Sequence, residues 1–167
     1  MSTTVEQAPA QPQRFDSKMV IPFVNSIRDV FSKMAKVQTT VDRPFLKEGT
    51  SASYDISGII GFSGEVVGSV VLCFQTVAAV KLVEAFAGMP IDPNTPDFTD
   101  AVGELANMVA GAAKKNLEAK ASITVPNVVI GKDHHIARLS GVPCLVIPCR
   151  SAIGNFAVEV CVKQNNA

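Results

Sequence analysis

Residues 97–118, DFTDAVGELANMVAGAAKKNLE, constrain the fold more than any other stretch of this chain. At a helical turn of roughly 100° per residue, Ala101, Val102, Leu105, Met108, Val109, Ala112 and Ala113 gather on one side. A helix with such a face has to lie on an apolar core. Its other side carries Asp100, Gly103, Glu104, Asn107, Gly111 and Lys114. Glu104 and Asn107 are three residues apart, so their side chains stand together and point the same way. A glycine inside a helix costs about 1 kcal/mol relative to alanine, yet two lie on this polar side. A low ridge from which a carboxylate and a carboxamide project fits a surface that another molecule approaches closely. The competing reading is an ordinary solvated helix face.

Elsewhere the chain alternates helical and strand-like patterns. Asp16 or Ser17 can cap a helix to about Lys36, with Pro22 and Ser26 offering a later start. Residues 37–45 can include a strand. Residues 51–62 and 65–74 read as two strands joined through Ser63 and Gly64, a hairpin signal. Thr76 is expected to cap a helix over 77–87, which Gly88 ends. Residues 122–129 are β-like, and 142–150 and 156–162 form a terminal strand pair around 151–155. Hairpins with helices between them predict an α+β fold, with helices packed on a mainly antiparallel sheet. At 167 residues the chain fits a single domain over 16–167, preceded by a Gln/Pro/Ala-rich tail, 1–15, expected to be disordered.

Composition narrows the function. Lys plus Arg and Asp plus Glu both number 15, and the absence of a basic excess argues against a nucleic-acid or anionic-membrane partner. Ser, Gly and Glu65 interrupt the longest apolar candidate, 56–74, so no membrane span is expected. The N-terminus lacks the basic and apolar regions of a signal peptide, which gives a cytoplasmic reading. Cys73, Cys144, Cys149 and Cys161 sit in apolar runs without metal-ligand spacing and are read as small buried hydrophobes. His134 and His135 are adjacent, cannot easily share an ion and are read as a solvated loop. No metal site is expected. No P-loop, G-x-G-x-x-G or G-x-S-x-G occurs.

The pattern D-x-x-x-E-x-x-N with a downstream proline, here Asp100, Glu104, Asn107 and Pro126, resembles the signature of the CheC/CheX/FliY chemotaxis phosphatases. GELANMVAGAAKKNL is similar to the helix that carries it, and the resemblance extends over most of the chain from about Lys18. The other mid-chain helix, AVKLVEAFAG, has no E-x-x-N, so one site per chain is expected, which favours the CheX branch over CheC. The resemblance implies a CheC-like fold and hydrolysis of the aspartyl phosphate of a phosphorylated CheY-type receiver domain. It implies that Asn107 positions the attacking water and that Glu104 pairs with the receiver's active-site lysine. Carboxamide chemistry suits the first role, because a neutral group that both donates and accepts can hold water beside phosphoryl oxygens without repelling them. No cofactor of its own is implied, the Mg²⁺ being supplied by the response regulator. A homodimer is implied too, and the apolar strands 142–150 and 156–162 are the expected edge for it.

Asp100, Gly103, Gly111 and Lys114 are the candidate partner contacts. Each has a plainer reading: Asp100 as a first-turn acid and Lys114 as a last-turn base, both favoured by the helix dipole, and the glycines as incidental. Pro126 is expected to break or edge a strand. The alternative function is a non-catalytic signalling or flagellar-switch adaptor of the same fold.

Overall fold

The two central apolar runs pair as antiparallel strands, β3 (Ile56–Gly64) and β4 (Val66–Phe74), aligned from Ile56 opposite Phe74 to Phe62 opposite Gly68. Strand alternation sends Ile56, Ile60 and Phe62, with Val66, Val70, Leu72 and Phe74, to one side, where all are buried. The computed structural model describes residues 16–49, 54–132 and 134–166. The expected tail, 1–15, and the first residues of the strand 51–62 lie outside the described residues.

Around this hairpin stand β1 (Thr39–Val41), β2 (Phe45–Leu46), β5 (Ala121–Ile123), β6 (Asn127–Ile130), β7 (Leu145–Ser151) and β8 (Gly154–Gln164). They complete an eight-stranded sheet in the order β1-β7-β8-β4-β3-β5, with β2 also on β7 and β6 also on β3. Every pairing is antiparallel. The α+β, helices-on-sheet expectation holds. The expected dimer edge does not: β7 and β8 are interior strands, and the outer side of β7 is occupied by β1 and β2. Apolar runs marked these strands as sheet, but their apolar character came from central burial rather than from an edge awaiting a partner.

Three helices cover one face: α1 (Ser17–Ala35), α2 (Thr76–Ala87) and α3 (Pro96–Lys115). Asp16 caps α1 by accepting from the Lys18 N–H, so the earlier start is the real one. Pro22 sits inside the helix, and Ser26 is no cap: its buried hydroxyl donates to the Pro22 carbonyl at 2.6 Å. Thr76 is the first residue of α2 rather than its cap; Gln75 occupies that position. The Thr76 hydroxyl donates to Asp55 Oδ2 at 3.1 Å, tying the start of α2 to the start of β3. Phe31 of α1 stacks on Phe156 of β8 with ring centroids 4.8 Å apart, and Phe74 lies 5.3 Å from Phe156. These rings join α1 to the middle of the sheet. No described helix is long and apolar enough to cross a membrane.

Candidate functional site

Helix α3 begins where the proline-rich connector makes a turn: the Thr95 hydroxyl donates to the Asp92 carbonyl at 2.6 Å, and Pro96 follows within the first turn. Proline suits that position because its missing N–H would have no helical partner there. Phe98, Ala101, Val102, Leu105, Ala106, Val109, Ala110 and Ala113 are buried against the sheet and α1, so the rotation of the helix about its axis is fixed. Close seating comes from Gly58 of β3, where an added Cβ would stand 3.1 Å from Ala106 Cβ.

With that rotation fixed, Asp100 and Glu104 face outward and are exposed, while Asn107, Gly111 and Lys114 are half-buried along the same ridge. Among the described residues, neither Glu104 nor Asn107 has an intramolecular hydrogen-bond or ion-pair partner. A carboxylate and a carboxamide thus stand three residues apart with their bonding capacity unspent. Beside them runs an open groove of about 460 Å³ lined by Thr99, Asp100, Gly103, Glu104, Pro126 and Val128.

The groove brings Gly103 and Pro126 together. Gly103 is buried, and the close approach it permits is made by the chain's own Pro126: an added Cβ would lie 3.2 Å from the proline Cγ and 3.3 Å from its Cβ. Its place on the polar side of the helix is therefore explained by packing. At Gly111 the nearest atom to an added Cβ is Ile123 Cδ1 at 3.9 Å, an ordinary contact, so this glycine leaves the ridge low. Pro126 does interrupt the sheet, falling between β5 and β6. It also lines the groove with Glu104, a position that spacing along the chain could not disclose.

Other polar groups lie on the far side of the sheet. Residues 157, 159 and 161 of β8 alternate with Val158, Val160 and Val162 of the helix-covered core, so Glu159 faces away from the helices. It accepts from Lys47 Nζ at 2.5 Å. A cavity of about 470 Å³ next to this ion pair is lined by Phe45, Leu46, Tyr54 and Val146 among others, and carries no residue of the α3 ridge. His134 is half-buried rather than solvated: its Nε2 is 2.8 Å from Ser57 Oγ and its Nδ1 is 2.6 Å from the Gly131 carbonyl. The Nε2 contact ties the 131–144 connector to β3, and the Nδ1 contact closes a turn within the connector. The cysteines are buried, as the sequence indicates.

The α3 ridge holds no nucleophile with a neighbouring base. What it offers is an exposed acid that can pair with a cation and a carboxamide that can orient a water molecule. Both are mounted on a helix whose packing fixes them. Such a surface adds positioning to a reactive group brought by another molecule.

Known proteins share this architecture. The CheX of Desulfovibrio desulfuricans superposes with a TM-score of 0.81 at 30% identity, covering 89% of this chain and 99% of that one. A CheX of Borrelia burgdorferi, solved as a CheX–CheY–BeF₃–Mg²⁺ complex, has the same fold at a TM-score of 0.73 and 22% identity, covering 90% of this chain and all of that one. The CheY-P phosphatase CheX of Thermotoga maritima is 27% identical over 122 residues, which are 71% of this chain and 79% of that protein. Residues 56–150, more than half of the chain and including all of α3, match the family described as chemotaxis phosphatase CheX, and to that family this chain belongs.

Proposed function

We propose that this protein is a phosphatase that hydrolyses the aspartyl phosphate of a CheY-type response regulator. The observation that carries the reading is the unengaged Glu104–Asn107 pair on the ridge of α3, beside the groove walled by Pro126. It is supported by the Thermotoga maritima relative, a CheY-P phosphatase, and by the Borrelia burgdorferi protein of the same fold solved with CheY and Mg²⁺.

In this reading α3 docks at the regulator's phosphorylation site. Asn107 donates to or accepts from a water in line behind phosphorus, and Glu104 pairs with the regulator's active-site lysine and fixes the register. The Mg²⁺ comes with the regulator, where it spreads the charge of the transferring group. Asp100, the low ridge at Gly111, and Lys114 complete the contact surface. Gly103 lines the groove and seats Pro126. The protein acts in the cytoplasm, where its substrate would be, and as a homodimer.

The test is the decay of a phosphorylated CheY-type regulator with and without the protein, beside the Asn107→Ala variant. Faster decay that is lost in the variant supports both the activity and the role of Asn107. Binding to the regulator with no change in phosphoryl lifetime would make the protein an adaptor instead. Light scattering at assay concentrations decides between monomer and dimer.

A further inference from the structure

On the sheet face turned away from α3, two cysteines meet. β7 and β8 pair with Leu145 opposite Val160, and one further step along that register sets Cys144 opposite Cys161. Both thiols are buried, and with Val142 they form a small apolar cluster separate from the main core. Their sulfurs are 2.6 Å apart, Cys161 donating to Cys144. Cys144 in turn donates to Glu159 Oε2 at 3.7 Å, and Lys47 holds the other oxygen of that carboxylate. The result is a hydrogen-bonded chain from thiol to thiol to ion pair.

Three features favour bond formation between these sulfurs. Unbonded heavy atoms rest roughly 3.5–4.0 Å apart, whereas a disulfide spans about 2.05 Å, so the two thiols are already nearer than separate groups sit. Directly opposed residues on antiparallel strands have Cβ atoms roughly 4.5–5.5 Å apart, and a disulfide asks for roughly 3.5–4.5 Å, so little backbone movement is needed. The hydrogen bond from Cys161 holds the Cys144 thiol below its usual range and raises Cys161, giving one sulfur the character of an attacking group and the other that of a proton-bearing partner. The remaining cysteines differ: burial pushes the Cys149 thiol up to about 12, and burial raises Cys73 as well.

Cys144, Glu159 and Cys161 also place three donor atoms within 4.8 Å of one another, as a metal site would. Glu159 already holds the Lys47 ammonium, however, which a divalent cation would have to displace. Dithiol chemistry needs no such displacement.

We propose that Cys144 and Cys161 form a reversible dithiol–disulfide pair that responds to hydrogen peroxide. The Cys144 thiol releases its proton and attacks one peroxide oxygen as the thiolate; the O–O bond breaks, and the departing hydroxide takes up the released proton as water, leaving a sulfenic acid. The Cys161 sulfur then attacks the Cys144 sulfur; the S–S bond forms, the S–O bond breaks, and the hydroxyl leaves with the Cys161 proton as a second water. The two thiols lose two electrons and one peroxide becomes two waters. A dithiol reductant reverses the step.

The full chain is treated with hydrogen peroxide, unfolded, alkylated with N-ethylmaleimide and weighed intact, then digested for peptide mapping. The expected result is loss of two of the four alkylatable thiols, a 144–161 linked peptide, and recovery of both thiols with dithiothreitol. Cys144→Ser and Cys161→Ser, each shown to be folded by circular dichroism, should give no linked peptide. Four alkylatable thiols after peroxide, or a link between other cysteines, would overturn the proposal. So would zinc bound one per chain that protects both thiols, since the cluster would then be a cation site.

Discussion

At the residue scale, function depends on what a single side chain can do in the middle of a fixed helix. Asn107 is a neutral group that can hold water, so Asn107→Ala removes the positioning and leaves docking to the rest of α3. Turnover of phosphorylated regulator at saturation should fall roughly 100-fold, the order of loss that misplacing a reacting group brings, with binding little changed. Asn107→Asp is the sharper probe, because it keeps size and shape while adding a charge that the phosphoryl oxygens repel; it should be as inactive as alanine. An Asn107→Asp variant with wild-type turnover would refute the carboxamide role. Glu104→Ala should act differently, losing a charge-assisted contact of about 1.5–3 kcal/mol and raising the half-saturating regulator concentration about tenfold or more, along with slower turnover. Titrating the regulator in the decay assay separates the two signatures. These two positions were legible in the sequence because helical periodicity alone decides which side chains share a face. Gly103 was not, because periodicity says which side a residue occupies and nothing about what another element lays over it.

At the scale of elements, the site is a helix and the irregular segment between β5 and β6, held together at Gly103 and Pro126. Two effects oppose one another in Gly103→Ala. Alanine favours the helix by about 1 kcal/mol, but its methyl group meets the proline ring at 3.2 Å and must push it aside by a few tenths of an ångström. The net change in unfolding free energy should therefore be small, within about 1 kcal/mol. Combining it with Pro126→Gly removes both ring atoms that the methyl group meets, Cγ and Cβ, while keeping the helical gain. The double variant should be more stable than the sum of the single changes, with a coupling of about 0.5 kcal/mol or more in a denaturant-melt cycle. Strict additivity would show that the two residues do not press on one another in solution. This pairing explains why a downstream proline belongs to a helix-borne pattern. It also shows the limit of sequence reading, since the contact joins residues 103 and 126 through a chain path that no local periodicity describes.

At the scale of the whole molecule the sheet separates two unlike faces. Helices and an aromatic cluster centred on Phe31, Phe74 and Phe156 lie on one, and Lys47, Glu159 and the paired cysteines on the other. Strand identity was legible from apolar runs, but strand order was not. Alternation fixes the faces of a strand, not its neighbours, so 142–150 and 156–162 looked like edges and proved central. The Lys47–Glu159 pair escaped notice for the same reason, its partners being 112 residues apart in sequence. Its place in the fold has a consequence that can be measured. Glu159 is 7% exposed, and removing its cation leaves a carboxylate that water reaches poorly. Breaking a buried pair costs about 3–5 kcal/mol, and Lys47, at 17% side-chain exposure, belongs toward or below the lower end of that range. Lys47→Met should thus lower the melting temperature by several degrees, while Lys47→Met with Glu159→Leu, which removes both charges, should recover most of the loss. Because the pair faces away from α3, both variants should dephosphorylate the regulator at the wild-type rate per folded molecule below their melting transitions. A double variant no more stable than Lys47→Met alone would mean that the packing around position 159, rather than its charge, depends on the carboxylate. A loss of turnover in the folded single variant would mean that the two faces of the sheet are coupled through it.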